Sequence, residues 1–146
     1  MFIKHIVIVR KLEHYKNHEA LNVNLNQISV PSIDLAKSIL FYKKIGLKLI
    51  VEAMPHYARF ECPDGNSTLS VEHVNEPPGA GVVIYFECEQ LDQVVAYLKS
   101  KAIEFDSDPA DQSWLWREAR LRDPSGNQIC LFYAGANRQN PPWRVK

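Results

Sequence analysis

The feature that most constrains the fold of this chain is an internal repeat. The order strand, helix, strand occurs twice in the sequence at one fixed offset. The patterns lie at residues 26–31, 34–44 and 47–51 in the first copy, and at 82–86, 91–98 and 103–105 in the second. At the offset of 56 positions, Leu35 aligns with Leu91, Phe41 with Tyr97 and Leu49 with Phe105. A repeat of this length predicts two copies of one supersecondary unit.

The second half of each copy is a hairpin. Residues 57–66 (YARFECPDGN) align with residues 118–127 (EARLRDPSGN), and each string is followed by an apolar returning strand, at 69–74 and 128–133. Proline presets the turn and glycine supplies the positive φ that closes it. A linker rich in turn formers, residues 76–81, separates the copies. The sequence therefore predicts an α+β chain of two βαβββ modules, at about 25–75 and 81–134.

The composition narrows the class of protein. The chain has 146 residues, of which 46% are hydrophobic, so it is long and apolar enough to bury one core. Its 17 basic residues balance 17 acidic ones, which argues against nucleic acid or a charged membrane surface as partner. The three cysteines form no C-x-x-C pair, and the apolar run at residues 6–9 is too short to span a membrane. We expect a protein of the reducing cytoplasm.

Both ends of the chain differ from the repeat. Residues 1–23 have no clean period, and we interpret them as an N-terminal appendage, either an extra strand or an artefact of too early a start codon. Residues 24–134 form the expected single domain. Residues 135–146 form a C-terminal tail.

Several strings resemble the vicinal oxygen chelate superfamily, which includes glyoxalases, bleomycin-resistance proteins and extradiol dioxygenases. The opening strand at residues 26–30, with Phe41-Tyr42 and Ile45-Gly46-Leu47 after it, is similar to the superfamily's first strand and the end of its first helix. Residues 123–127 (DPSGN) resemble its closing hairpin. The likeness covers roughly residues 25–134, and it is carried by the order and spacing of the motifs.

The resemblance implies an open, incomplete barrel. Helices would cover its convex face, and the concave faces of the two modules would enclose a pocket for a small organic molecule. Strand alternation then predicts which side chains face that pocket. The predicted ligand-binding residues are Gln27, Tyr57, Arg59, Ser70, Glu72, Tyr85, Trp116, Glu118, Arg120 and Cys130, with Trp114 and Phe132 on the same face.

The resemblance also implies a metal, held by the first and last strands of each module. Those positions carry Gln27, Ser70, Val83 and Cys130. Valine cannot ligate a metal, serine is a poor ligand, and glutamine with cysteine is not a set that divalent metals prefer. We therefore expect neither a metal nor another cofactor. A displaced site of Gln27, Glu72 and Cys130 stays open as an alternative.

The expected pocket combines aromatic faces with charges. Arg59 and Arg120 could clamp an anionic group of the ligand. Alternatively, they pair with Glu118 and Glu72 across the pseudo-twofold, and the charges neutralise each other. The leading hypothesis is a homodimeric binder that sequesters a small molecule without a metal, as bleomycin-resistance proteins do. One alternative is a lyase or dioxygenase that uses a displaced metal or Glu118 or Glu72 as general base. Another is an interaction module whose tail, residues 137–144, docks onto a partner.

Overall fold

The fold is described for residues 25–144, in a computed structural model of the chain. The first module comprises β1 (Gln27–Ser32), α1 (Leu35–Lys44), β2 (Lys48–Ala53), β3 (Tyr57–Glu61) and β4 (Thr68–His73). The second comprises β5 (Val83–Glu87), α2 (Leu91–Ser100), β6 (Ala110–Asp111), β7 (Arg117–Arg122) and β8 (Gln128–Tyr133). A short 3₁₀ helix follows at Gly135–Arg138. The predicted N-terminal appendage lies outside the described residues.

Each module forms its own four-stranded sheet. The strand orders are β1-β4-β3-β2 and β5-β8-β7-β6, so the same order occurs in both. The first strand of each module pairs in parallel with its last strand, and the other pairs are antiparallel. The predicted α+β fold of two tandem βαβββ modules is confirmed.

Local sequence signals set the limits of α1. Asp34 is its N-cap and accepts a hydrogen bond of 3.1 Å from the backbone N–H of Lys37. Gly46, two residues after the helix, has a φ of +104°, which glycine adopts without strain. The buried side chains of Leu35, Ile39 and Tyr42 follow helical spacing and face the sheet.

One predicted strand differs from the structure. Residues 103–105 form only a single bridge, between Phe105 and Leu121, and the edge strand β6 lies later and has two residues. The backbone N–H groups of Asp106 and Ser107 both point to the carbonyl of Arg120, which interrupts the ladder. Pro109 follows and has no N–H to donate. Short apolar runs specify a strand only when the neighbouring chain can continue the pairing.

The two modules share one contiguous hydrophobic core. It contains side chains from both helices and from one face of each sheet: Ala58, Phe60, Leu69 and Val71 from the first, and Ala119, Leu121, Ile129 and Leu131 from the second. We call the opposite face of each sheet its open face. No helix within residues 25–144 is long and apolar enough to cross a membrane.

Candidate ligand-binding site

The open face of the first sheet gathers four of the predicted site residues around one hydroxyl. The register places Ser70 of β4 beside Ser29 of β1 and Arg59 of β3. The Ser70 Oγ, buried beneath its neighbours, lies 2.5 Å from the Gln27 Nε2 and 2.5 Å from the Tyr57 hydroxyl. Three strands therefore supply one polar network.

Arg59 extends this network toward solvent. Its Nε donates to the Tyr57 hydroxyl at 2.7 Å and lies 3.4 Å from the Ser70 Oγ. Its guanidinium also lies over the Tyr57 ring, 5.5 Å from the centroid. Within residues 25–144, Glu72 is exposed and forms no ion pair with Arg59 or Arg120.

The open face of the second sheet carries an aromatic cluster. The rings of Trp116 and Phe132 stack with centroids 4.7 Å apart, and Tyr85 meets both rings edge-on, at 5.9 and 5.6 Å. Such geometries are favourable for aromatic pairs. Phe132 is buried, Trp116 is half-buried and Tyr85 is 46% exposed. We name Tyr85, Trp116 and Phe132 the aromatic cluster.

A buried carboxylate lies beside this cluster. Glu118 is 4% exposed. Its Oε1 accepts from the Trp114 indole N–H at 2.9 Å, and its Oε2 accepts from Arg120 at 2.9 Å. Arg120 also lies over the Tyr85 ring, 5.5 Å from the centroid. Arg120 is thus paired with a carboxylate of its own strand, β7, and not with one across the pseudo-twofold.

Cys130 lies beneath these side chains and is fully buried. Burial raises the pKa of its thiol to about 12, and the nearby Glu118 carboxylate adds to the rise. The nearby Arg120 guanidinium lowers the pKa of Cys130 less than burial raises it, so the thiol is neutral near pH 7.

A strained turn presents the two tryptophans. Between β6 and β7, the Gln112 N–H donates to the Trp116 carbonyl at 2.7 Å, and Leu115 adopts a φ of +67°. Non-glycine residues rarely adopt this conformation, and strain of this kind is common at functional sites. The turn holds Trp114 against Glu118 and Trp116 against Phe132.

A cavity of about 640 Å³ is lined by residues of both modules. From the open faces, Gln27 and Thr68 line it in the first module, and Val83 and Tyr85 line it in the second. Much of the remaining lining comes from strand ends and from side chains of the shared core, such as Leu69 and Leu98. Of the ten predicted ligand-binding residues, only Gln27 and Tyr85 line it. The volume is in the range of sites for small organic molecules.

The four positions of the superfamily's metal do not fit a divalent metal in this chain. The Gln27 amide and the Ser70 hydroxyl bond to each other, Val83 has no donor atom, and the Cys130 thiol is buried with a pKa of about 12. Metal binding would require a thiolate and further oxygen or nitrogen ligands. Residues 25–144 contain no cluster of three His, Cys, Asp or Glu side chains that could hold a metal.

The two candidate carboxylates have different surroundings. Each Glu118 oxygen accepts one hydrogen bond, from Trp114 or from Arg120, so its carboxylate is held in place. Glu72 is exposed. A carboxylate oxygen can accept more than one hydrogen bond, so these contacts orient Glu118 and leave it able to accept a proton.

One member of the network was missed from sequence. The Thr68 hydroxyl donates to the Gln27 side chain. Thr68 lies two residues before Ser70 on β4 and hence on the same face. Extending the strand by one residue would have identified it.

Comparisons with solved structures support the fold. A glyoxalase/bleomycin resistance protein/dioxygenase from Nocardioides is 24% identical, with a TM-score of 0.71, covering 94% of this chain and 99% of that one. A lactoylglutathione lyase from Agrobacterium tumefaciens is 14% identical, with a TM-score of 0.66, covering 78% and 96%. TioX from Micromonospora sp. ML1 is 14% identical, with a TM-score of 0.63, covering 77% and 99%. At these identities the likeness concerns the fold alone.

No curated protein has a significantly similar sequence. A family model does match, over residues 24–131, which is most of the chain. The resemblance inferred from the hairpins and the helix end is thereby confirmed, and the chain belongs to the Glyoxalase/Bleomycin resistance protein/Dioxygenase superfamily.

Proposed function

We propose that this protein binds a small organic molecule on the open faces of its two sheets, without a metal, and sequesters it. The observation that carries the proposal is the aromatic cluster. Tyr85, Trp116 and Phe132 pack together on the sheet face opposite the shared core, where Phe132 and Cys130 belong to a second, smaller hydrophobic cluster and Tyr85 stays exposed. Aromatic surface with few oriented polar groups is typical of ligand sites.

The polar groups near the cluster support binding rather than catalysis. Glu118 holds Trp114 and Arg120 in place, and Ser70 holds Gln27 and Tyr57. Side chains bonded to one another in this way are preorganised, which lowers the entropy cost of binding. A lyase or dioxygenase activity would depend on Glu118 or Glu72 as general base, or on a metal that the four mapped positions do not fit.

We propose further that two copies associate through the open faces. Several large apolar side chains outside the core are exposed: Val51, Met54, Tyr85, Trp114 and Leu115. A second copy would cover these side chains and would enclose a ligand that one copy leaves open. The three unpaired cysteines, Cys62, Cys88 and Cys130, support the expected location in the cytoplasm.

Native mass spectrometry of the purified protein tests the assembly and the bound species together. We expect two subunits and no metal adduct. A monomer would contradict the dimer, and one metal per subunit would favour the enzyme alternative.

Titration with phenylnaphthylamine, a neutral aromatic probe whose fluorescence rises in apolar sites, tests the aromatic cluster. Trp116→Ala should weaken binding about tenfold, because a stacking interaction that contributes roughly 1–1.5 kcal/mol to the binding free energy is lost. Trp143→Ala is the matched control, since Trp143 is exposed in the tail. Equal affinity in both variants, or no binding by the unchanged protein, would contradict the proposal.

A further inference from the structure

The two arginines of the open faces have different electrostatic surroundings, although they occupy equivalent positions of the repeat. Residues 57–66 align with 118–127, so Arg59 corresponds to Arg120. Two residues earlier on the same strand, the second module has Glu118 and the first has Tyr57. Side chains two apart on a strand share a face. Arg120 therefore meets a carboxylate, and Arg59 meets a hydroxyl.

The charge of Arg59 is not neutralised by a carboxylate within the described part of the chain. Arg120 forms an ion pair of 2.9 Å with Glu118. Among the described residues, the hydrogen-bond partners of Arg59 are the hydroxyls of Tyr57 and Ser70, and both bonds use its Nε. Its two terminal NH₂ groups form no hydrogen bond within residues 25–144. A guanidinium edge in this state can bind an oxyanion through two parallel bonds.

The orientation of the Arg59 side chain is fixed by hydrogen bonds to side chains that lie beneath it on the open face. The Tyr57 hydroxyl that accepts from Arg59 also contacts the buried Ser70 Oγ, which contacts Gln27. Gln27 lines the cavity that Tyr85 lines from the second module. The polar network that orients Arg59 and the aromatic cluster therefore each reach this cavity through one residue, Gln27 and Tyr85.

We propose that the ligand is an aromatic anion: a planar ring system that lies on the aromatic cluster, with a carboxylate or sulfonate that binds Arg59. This inference rests on the proposed function. Arg120 is a positioning residue, because the Glu118 carboxylate neutralises its charge and its guanidinium lies over the Tyr85 ring. The first module selects the charge of the ligand, and the second binds its ring.

The test compares two fluorescent probes that share one ring skeleton, anilinonaphthalene sulfonate and neutral phenylnaphthylamine. The unchanged protein should bind the sulfonate more tightly. Arg59→Met should weaken sulfonate binding about tenfold or more, the expected loss for a hydrogen-bonded charge. It should change the affinity for the neutral probe less than about twofold, because no charged interaction with that probe exists.

Two further variants control for charge and folding. Arg122→Met removes the same charge from an exposed surface pair with Asp106, so it should leave both affinities unchanged. Arg59→Lys keeps the charge and loses the planar fork, so it should retain part of the preference for the sulfonate. Far-ultraviolet circular dichroism checks that each variant is folded.

The outcomes separate the inference from the proposed function. If the neutral probe binds and depends on Trp116, but Arg59→Met does not weaken the sulfonate selectively, the anion site is wrong and the binding function stands. If neither probe binds the unchanged protein, both are overturned. If Arg59→Met and Arg122→Met weaken sulfonate binding equally, the preference for the sulfonate comes from the overall charge of the protein. That result would also overturn the anion site.

Discussion

The hydroxyl of Tyr42 donates a hydrogen bond of 2.7 Å to the Asp123 carboxylate, and this contact joins α1 of the first module to the final hairpin of the second. Both side chains are buried. Asp123 also accepts from the backbone N–H groups of Ser125 and Asn127, each at 2.9 Å, so it organises its own turn. The Asn127 side chain donates to the Pro31 carbonyl at 2.8 Å. One turn therefore fixes how the two modules meet.

Tyr42→Phe should destabilise the protein by about 1–2 kcal/mol, because a buried carboxylate loses one donor and keeps the others. Urea unfolding measures the change. Tyr97→Phe is the matched control, since Tyr97 is exposed on α2, and it should alter the free energy of unfolding by less than about 0.5 kcal/mol. Equal effects would show that the hydroxyl of Tyr42 does not stabilise the junction.

The buried thiol of Cys130 predicts a loss of stability in alkali. Its folded pKa, about 12, lies above the usual value, which is about 8.5 in an unfolded chain. The stabilisation is complete below the unfolded pKa and is lost as pH rises toward the folded pKa, at up to about 1.4 kcal/mol per pH unit.

Unfolding at pH 8.5 to 10 should therefore give a shallower slope for Cys130→Ala than for the unchanged protein. Within this range the buried Tyr42 hydroxyl, whose pKa is raised by burial and by Asp123, contributes little to either slope, because tyrosine in an unfolded chain titrates near 10. Identical slopes would mean that the thiol ionises as freely in the folded protein as in the unfolded chain.

The Glu118–Arg120 pair should show strong coupling. Arg120→Met alone leaves the buried carboxylate with only the Trp114 donor, and we expect a loss of about 1–3 kcal/mol. Adding Glu118→Gln should restore most of it, because no buried charge remains. A double-mutant cycle by urea unfolding measures the coupling. Additive losses would argue that the pair does not stabilise the fold and that Arg120 is free for another partner.

The metal content of the purified protein should be far below one divalent ion per chain. Gln27 offers one neutral oxygen and Cys130 a thiol with a raised pKa, which together would not retain a metal through dialysis. Elemental analysis without added chelator measures it. Near-stoichiometric metal that disappears in Gln27→Ala would show that the ligand positions are misassigned, with Glu72 the first residue to examine.

Removal of residues 1–23 should leave a folded protein, since the first strand of the repeat begins at Gln27. Thermal unfolding decides this. A fall in midpoint of more than about 10 °C would exceed the effect of roughly 1 kcal/mol in a domain of this size, and it would mean that the segment is a structural strand.

The sequence by itself determined the modules, because the signals that specify them are local. Helical spacing and the Asp34 cap place α1, and the Pro-Gly turns place the hairpins. Strand alternation assigned Arg59, Ser70 and Cys130 to the open faces, and the register agrees. The repeat also aligns Tyr57 with Glu118. That Arg59 therefore lacks the carboxylate partner of Arg120 is visible only from the contacts of the two arginines.

The tertiary structure decided which of these side chains meet. Tyr42 and Asp123 are 81 positions apart, and no local pattern pairs them. The stacking of Trp116 on Phe132 depends on the strained turn at Leu115 and on the register of β7 with β8. Residues 103–105 form a single bridge in place of the expected strand, again because of long-range contacts. Strand pairing requires a neighbour whose hydrogen-bonding groups are free. Periodicity specifies the face of a residue, whereas long-range packing specifies its partner.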